Sequence, residues 1–281
     1  MKALVVTADD FGLAPEVNEA VEIAHTNGIL TAASLMVGAP AVDDAVARAR
    51  RLPALRVGLH LVLVDGRPML PAESIPDLVD ANGCFRKSMV RTGMDIFFRA
   101  KVRKQLAAEI AAQFAAYQAT GLVLDHVDCH HHFQLHPTIA SQIFNIGSSY
   151  GLRAVRVPAE PVDILNRIET GRKHRRDWRT APWIALLKAR IQRRGLGAAD
   201  QVFGLAWSGA MTEQRVAGLL RHLPVGVTEM YFHPAASCAF AGAASGYRYT
   251  DELAALTAPR VKDLLRATGA KSGGFADFMR T

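Results

Sequence analysis

The stretch Asp125-His126-Val127-Asp128-Cys129-His130-His131-His132 places four histidines and two aspartates within eight residues. The apolar residues 121–124 before it fit a strand that enters a sheet interior, and His136-Pro137 after it indicates a loop leading into a helix. Side chains of an extended chain alternate between two faces. The residues predicted to share one face are His126, Asp128, His130 and His132. This polar stripe is therefore expected at the C-terminal end of a strand.

Imidazole and carboxylate groups at short spacing are ligands for zinc and comparable divalent metals. A hydrogen-bonded core network is the alternative interpretation, and it accounts well for a single buried histidine. Four polar side chains on one strand are harder to satisfy without an ion or water. The stretch as a whole therefore favours a metal site.

The chain has 281 residues, half of them hydrophobic, and a formal net charge of +7. This length suits a single α/β barrel domain. No run of about 18 apolar residues occurs, and the first residues lead directly into a strand rather than a secretory signal, so we expect a soluble, cytoplasmic protein. Cys84, Cys129 and Cys238 lack a CxxC spacing, which argues against a disulfide framework or a thiolate zinc site.

The positive charge is concentrated in residues 167–194, where ten Lys or Arg against Glu169 and Asp177 give 10 − 2 = +8. None of the common nucleic-acid-binding signatures is present, so we expect no nucleic-acid partner. The segment is interpreted either as a local insertion with its own partner or as a solvated surface.

Seven predicted strands alternate with helices or helical insertions. The strands are 2–7, 29–37, 56–62, the histidine strand, 153–157, 201–207 and 227–232. Such alternation predicts an α/β fold with a parallel sheet. We expect residues 1–281 to form a single-domain (β/α) barrel, TIM-like with seven or eight strands, either closed or incompletely closed. A loop or lid at about 65–99 and a basic helical insertion at about 161–200 interrupt the alternation.

Several polar residues fall where predicted strands end. They are Asp9, Asp10, His60, His130 and His233. In a (β/α) barrel those ends converge on one face, where active sites are built. Two adjacent carboxylates repel each other unless a cation or a proton intervenes, although a turn or helix cap is an alternative for the pair. His60, taken alone, is equally an ordinary core histidine. Together, the five residues predict one polar site.

Four motifs resemble those of the YdjC-like (ChbG-like) carbohydrate deacetylase family over roughly residues 1–240. They are Thr7-Ala8-Asp9-Asp10-Phe11-Gly12, Gly58-Leu59-His60-Leu61, His126-Val127-Asp128-Cys129-His130-His131-His132 and Phe232-His233-Pro234-Ala235. The stretches TADDFGLAPEVNEAVE, LTAASLMVGAPA and LRVGLHLVLVDGRPMLP are most similar to the hopanoid biosynthesis-associated (HpnK-type) members.

The resemblance implies a metal-dependent hydrolase that removes an acetyl group from an N-acetylated amino sugar, here an N-acetylglucosaminyl hopanoid lipid. It implies Asp10, His60 and His130 as ligands of one divalent ion, Mg²⁺ or Zn²⁺. Asp9 would be the general base and His233 the general acid. The family also suggests a homodimer.

Two residues depart from the family pattern. Many hopanoid-branch members have a different residue at His131, which leaves the third ligand open, and a histidine is common where this chain has Gln134. Three other functions remain as alternatives: deacetylation of soluble chito-oligosaccharides, a metal-dependent phosphoesterase, and a non-catalytic sugar- or lipid-binding barrel. A phosphoesterase usually needs two metals and more carboxylates than this chain offers at the strand ends. A non-catalytic barrel with a structural ion needs no additional base, whereas the Asp9-Asp10 pair supplies one.

A lipid-linked substrate requires access to a membrane. In the basic segment, the apolar residues 183–187 precede Lys188, Arg190, Arg193 and Arg194, but apolar and basic residues overlap on a helical wheel. The stretch 94–104 also combines apolar and basic residues. Peripheral contact with an anionic membrane at the inner face is one interpretation. A solvated helix or a dimer contact is the other.

Overall fold

The structure, a computed structural model, describes residues 1–279. Its strands are β1 (Lys2–Phe11), β2 (Ala32–Leu35), β3 (Arg56–Leu61), β4 (Leu124–Cys129), β5 (Gln201–Phe203), β6 (Gly226–Phe232) and β7 (Lys271–Ser272). They form one parallel sheet in the order β4-β3-β2-β1-β6-β5, and β7 pairs with the start of β1. The α/β class and the parallel sheet predicted from the alternation are confirmed.

Helices connect these strands. They are α1 (Pro15–Asn27), α2 (Val42–Arg51), α3 (Met89–Phe98), α4 (Ala100–Ala119), α5 (Pro137–Gly147), α6 (Val162–Ile168), α7 (Ala181–Arg193), α8 (Glu213–Arg221), α9 (Tyr249–Thr257), α10 (Pro259–Thr268) and α11 (Phe275–Phe278). Proline opens several of them, where its missing N–H costs nothing. Pro259 starts α10 directly after α9 has ended at Thr257. Among the described residues, none of the helices combines the length and apolar character needed to cross a membrane.

The central strand β1 is buried on both faces, because apolar side chains pack against each face of the sheet at this strand. Leu4 and Val6 contribute to the large core beneath the helices. Val5 points the other way, into a smaller cluster with Val202 and Phe275. This pattern explains why residues 2–7 read as a continuous apolar run rather than as an alternating one.

The sheet is an open half-barrel. Of the two predicted forms, the closed barrel is wrong, and the structure shows the incompletely closed one. The predicted strand 153–157 makes only isolated bridges, such as Val127 to Val155. Pro158 follows it and has no N–H for a ladder, which limits pairing. Beyond this proline the chain touches β5 through one bond, from Val202 N to Ala159 O at 3.0 Å. The seventh strand is instead β7, which was not among the predicted strands.

The loop at about 65–99, expected to be a loop or lid, is tied down by polar side chains of α4. Glu109 is fully buried and accepts hydrogen bonds from the backbone N–H groups of Met69 and Leu70, at 2.8 and 3.0 Å. Gln113 accepts one from Val62 N at 3.0 Å. Because these groups satisfy the loop backbone internally, the first half of the loop has a fixed course beside the C-terminal ends of the strands.

At the opposite end, Asp125 joins the C-terminal helix to the sheet. Its carboxylate accepts hydrogen bonds from the N–H groups of Phe275 and Ala276, at 3.0 and 2.9 Å, and contacts His126 Nδ1 at 2.9 Å. The ring of Phe275 stacks on His126 with 4.5 Å between centroids. This carboxylate therefore caps α11 and holds it under the half-barrel.

We expect Asp125→Ala to lower the free energy of unfolding by about 2–4 kcal/mol, because it leaves the buried N–H of Phe275, the N–H of Ala276 and the buried His126 ring without their acceptor. Asp263→Ala is the matched control. Its carboxylate forms only an exposed pair with Arg266, so a change within about 0.5 kcal/mol is expected. Urea unfolding followed by circular dichroism measures both, and similar losses in the two variants would contradict the role of Asp125.

Candidate functional site

A cavity of about 890 Å³ opens at the C-terminal edge of the sheet. The structure brings all five predicted site residues into its wall: Asp9, Asp10, His60, His130 and His233. They arrive from the ends of β1, β3, β4 and β6, which are parallel and so end at the same edge. The prediction that these residues converge is confirmed, while their chemical roles stay predictions.

A backbone irregularity lets two adjacent aspartates reach the same cavity. The pairing of β1 with β2 shifts register between Ala8 and Phe11. Asp10 lies in this interval with φ at 61°, in the left-handed region that non-glycine residues rarely adopt. Regular strand geometry would send Asp9 and Asp10 to opposite faces, and the bulge removes that restriction.

Three ligand atoms form a nearly equilateral triangle. Asp10 Oδ1 lies 3.5 Å from His60 Nε2 and 3.4 Å from His130 Nδ1, and the two nitrogens are 3.4 Å apart. Dividing these sides by √3 puts the centre about 2.0 Å from each atom, which matches zinc–nitrogen and zinc–oxygen bond lengths. Within residues 1–279, Asp10 Oδ1 has no hydrogen-bond partner. The triangle therefore fits one divalent ion.

The orientation of His60 also suits a metal ligand. Its Nδ1 lies 3.0 Å from Asp128 Oδ2, so Nδ1–H donates to that carboxylate and Nε2 directs its lone pair into the triangle. Burial acts to lower the pKa of His60, but Asp128 and the neighbouring aspartates outweigh it and raise the pKa to about 9. Burial acts to raise the pKa of Asp10, yet the close contact with the His130 ring and the charges of the nearby histidines hold that pKa well below its ordinary value.

The sequence interpretation missed Arg156, which is fully buried beside the triangle. Its guanidinium donates two hydrogen bonds to Asp9, at 2.6 and 2.8 Å, and others to Asp128 and, at 2.9 Å, to Glu229. Burial acts to lower the pKa of Arg156, but the three carboxylates raise it well above its ordinary value. The signal in the sequence was a lone arginine within the apolar run 154–157.

Charge in this region is unbalanced without a further cation. Asp9, Asp10, Asp128 and Glu229 are all buried, while one guanidinium faces three of them. Burial raises the pKa of Glu229 despite its contact with Arg156. A raised pKa reduces the negative charge that Glu229 contributes. The remaining negative charge is compensated by a proton on His60 or, when that proton is lost, by a divalent ion. The donor set and the charge thus both fit a metal ion.

The predicted polar stripe is wrong beyond Asp128. The strand ends at Cys129, and His130–Leu135 form a short irregular 3₁₀ segment in which His131 and His132 both have φ at 55°. His132 therefore leaves the predicted stripe and lies 3.1 Å from the Tyr231 hydroxyl, while its neighbour His131 lies 3.7 Å from Asp65. His126 keeps its place in the regular strand, where its ring is 3.0 Å from Ser34 Oγ. Left-handed residues break the two-residue alternation that the prediction assumed.

His233 lies against aromatic side chains on the far wall of the cavity. Its ring centroid is 5.1 Å from that of Tyr247 and 5.7 Å from that of Tyr231. The buried carboxylate of Glu252 accepts hydrogen bonds from the backbone N–H of His233 and, at 2.8 Å, of Met211. Neither Tyr247 nor Glu252 carried a sequence signal, because each comes from a loop or helix far along the chain.

Comparisons with known proteins place these features in context. A family model described as YdjC-like protein matches residues 3–267. Proteins named carbohydrate deacetylase are similar to this chain. One from Geobacillus stearothermophilus is 29% identical, and the match covers 98% of each chain. Another, from Thermoanaerobacter pseudethanolicus, is 28% identical, and the match covers 84% of this chain and 82% of that relative. A third, from Brevibacillus brevis, is 38% identical over 55% of this chain, a match that spans 59% of that relative.

The crystal structure of a protein from Enterococcus faecalis, named for cellobiose-phosphate cleavage, superposes with a TM-score of 0.76. The match covers 99% of each chain at 24% identity. At this level of identity, the similarity supports the fold alone.

We expect Zn²⁺ binding at pH 7 to release about one proton, because His60 has a raised pKa of about 9 and must lose its Nε2 proton to ligate. Proton release should fall as the pH rises toward and above that value. Calorimetric titration in buffers of different ionisation enthalpy measures it. Binding with no proton released at pH 7 would contradict this protonation state.

The same titration tests the ligand set. Asp10→Asn and His60→Gln should weaken zinc binding more than about 100-fold, since each removes a ligand atom of the triangle. His131→Gln is the matched control, because its side chain is nearly half exposed and directed toward Asp65. A loss of similar size in the control would make His131 a ligand.

Proposed function

The chain belongs to the YdjC-like protein family, and on this premise we propose that it is a metal-dependent hydrolase that removes the acetyl group from an N-acetylated amino sugar. The observation that carries the proposal is the ligand triangle of Asp10, His60 and His130 beside a carboxylate, Asp9, that is held by a different cation. The names of the similar proteins from Geobacillus and Thermoanaerobacter agree with this reaction.

The cavity supports a sugar as the substrate. Its volume of about 890 Å³ exceeds the need of a single sugar ring, and its wall includes the aromatic rings of Tyr231, Tyr247 and Tyr249. The Tyr247 hydroxyl is already positioned by Ser208 Oγ at 2.9 Å. Such rings offer an apolar face to the C–H side of a sugar, while the nearby polar groups can bind its hydroxyls.

Each residue then has a defined task. A divalent ion held by Asp10, His60 and His130 would polarise the acetyl carbonyl and lower the pKa of a water molecule. Asp9 would accept the proton of that water, through the lone pairs that Arg156 leaves free. His233, on the aromatic wall, would donate a proton to the departing amine. Two imidazoles in the ligand set favour zinc or another transition metal over magnesium.

A two-metal phosphoesterase fits less well. The second group of carboxylates and histidine that could hold an ion is Asp9, His60 and Asp128, and it shares His60 with the first. Arg156 already donates hydrogen bonds to both carboxylates of this group. A second divalent ion there would have to displace a buried guanidinium, which is costly.

We further propose that the amino sugar is carried by a hopanoid lipid, as the sequence resemblance implies. The rim of the cavity supports an apolar attachment, since Leu13, Met36 and Met89 line it beside the polar centre. Soluble chito-oligosaccharides are the alternative substrates. A homodimer and a cytoplasmic location at the inner face of the membrane stay predictions.

The structure gives the basic segment a role in packing. Arg190 donates hydrogen bonds to Pro137 O and Ser141 Oγ, at 2.7 and 3.1 Å. Arg194 donates to Asn145 Oδ1 at 2.9 Å and lies over the ring of Phe144. These contacts attach α7 to α5. Membrane contact through residues 167–194 stays a prediction, and the engagement of these two arginines weakens it.

Acetate release tests the function directly. We expect the metal-loaded protein to release acetate from N-acetylglucosaminyl substrates, faster from lipid-linked than from free chito-oligosaccharides, and to lose this activity after chelation until metal is restored. Release of phosphate from phosphomonoesters without any acetate release would favour the phosphoesterase. Binding of sugar without turnover would favour the non-catalytic barrel.

Substitutions separate the base from the acid. Asp9→Asn and His233→Ala should each lower kcat by about 10²–10⁴, because each removes one proton-transfer group, while the bound metal is retained. His222→Ala, an exposed histidine at the end of α8, is the control and should leave kcat unchanged. Loss of metal in Asp9→Asn would make Asp9 a ligand, and undiminished turnover in His233→Ala would remove the acid assignment.

A further inference from the structure

Helix α3 exposes a stripe of large apolar side chains. Val90, Met94, Phe97 and Phe98 are 79%, 56%, 51% and 67% exposed. Their spacing of four, seven and eight residues from Val90 places them on one face of the helix. The opposite face, with Thr92, Gly93 and Ile96, is buried against the protein. Single exposed apolar residues are ordinary, but four together on one helix face mark a contact surface.

This stripe begins at the mouth of the candidate site. Lys87 and Met89, which immediately precede Val90, line the cavity. At the other end, the ring of Phe97 lies edge-on to His136, with 6.2 Å between centroids, directly after the histidine segment. The apolar surface therefore continues outward from the cavity rim.

Positive charge flanks the stripe along the chain. Residues 86–104 contain seven Lys or Arg and one acidic residue, Asp95, which gives 7 − 1 = +6. Arg86 and Arg99 pair with nearby aspartates. In the part of the chain that the structure describes, Arg91 and Lys104 form no ion pair and are exposed. An apolar face bordered by unpaired cations is complementary to a bilayer that carries anionic headgroups.

We propose that α3 is a membrane-docking helix that binds the surface of an anionic bilayer. The apolar stripe enters the boundary between headgroups and acyl chains, Arg91 and Lys104 contact lipid phosphates, and the cavity mouth lies against the membrane. This inference goes beyond the proposed reaction, because docking depends on this surface and not on acetyl transfer.

Co-sedimentation with vesicles tests it. The wild-type protein should bind vesicles of phosphatidylcholine mixed with phosphatidylglycerol, and the combined variant Val90→Gln, Met94→Gln, Phe98→Gln should bind at least about tenfold more weakly. The matched control is Val123→Gln with Val225→Gln, because these exposed valines precede β4 and β6 at the opposite edge of the sheet. The control should bind like the wild type.

Charge is tested separately. Arg91→Gln and Lys104→Gln should each weaken binding about fivefold at low salt, and pure phosphatidylcholine vesicles should bind less well. Equal binding by wild type and the α3 variant, or no vesicle binding by the wild type, would overturn the proposal. So would a dimer that dissociates in the α3 variant without any vesicle binding, since a second copy would then cover the stripe. Retained acetate release from a soluble chito-oligosaccharide by the α3 variant separates a docking defect from failure of the proposed function.

Discussion

The buried guanidinium of Arg156 is the interaction on which the candidate site depends. It binds one carboxylate from each of three strands: Asp9 of β1, Asp128 of β4 and Glu229 of β6. Arg156 itself lies in the segment that crosses the open side of the half-barrel. One side chain therefore links β4 electrostatically to β1 and β6, two strands that are not its neighbours in the sheet order. Its loss would leave three buried carboxylates without their counter-ion, a strongly destabilising arrangement.

This arrangement gives two adjacent aspartates different partners. Asp9 is paired with the guanidinium of Arg156. Asp10 instead faces the imidazole nitrogens of His60 and His130, and its Oδ1 has no hydrogen-bond partner in the described structure. The bulge at Asp10 produces the difference, because it frees the pair from strand alternation. With a fixed cation at one carboxylate, the other would be free to hold an exchangeable ion, and the two neighbouring groups would then act as base and ligand.

The sequence predicted the parts of the site that follow from strand direction. Asp10, His60, His130 and His233 follow apolar strands, and parallel strands end at one edge, so their convergence could be inferred. The start of α5 at Pro137 was predicted for the same kind of local reason. These features were predictable because they depend on residues that are close together in the sequence.

The remainder depended on long-range contacts and on local backbone exceptions. Nothing near Arg156 in the sequence reveals that it meets carboxylates about 30 to 150 residues away. The left-handed conformations of His131 and His132 broke the predicted stripe, since non-glycine residues adopt them only where the surrounding structure holds them. The segment 153–157 forms only isolated bridges and does not complete the barrel, and the two-residue strand β7 was too short to carry a periodic signal.

Anomalous diffraction from a zinc-loaded crystal would test the central claim most directly. We expect one ion about 2.0–2.2 Å from Asp10 Oδ1, His60 Nε2 and His130 Nδ1, with both oxygens of Asp9 still hydrogen-bonded to Arg156. An ion bound instead between Asp9, His60 and Asp128, with Arg156 displaced, would contradict it.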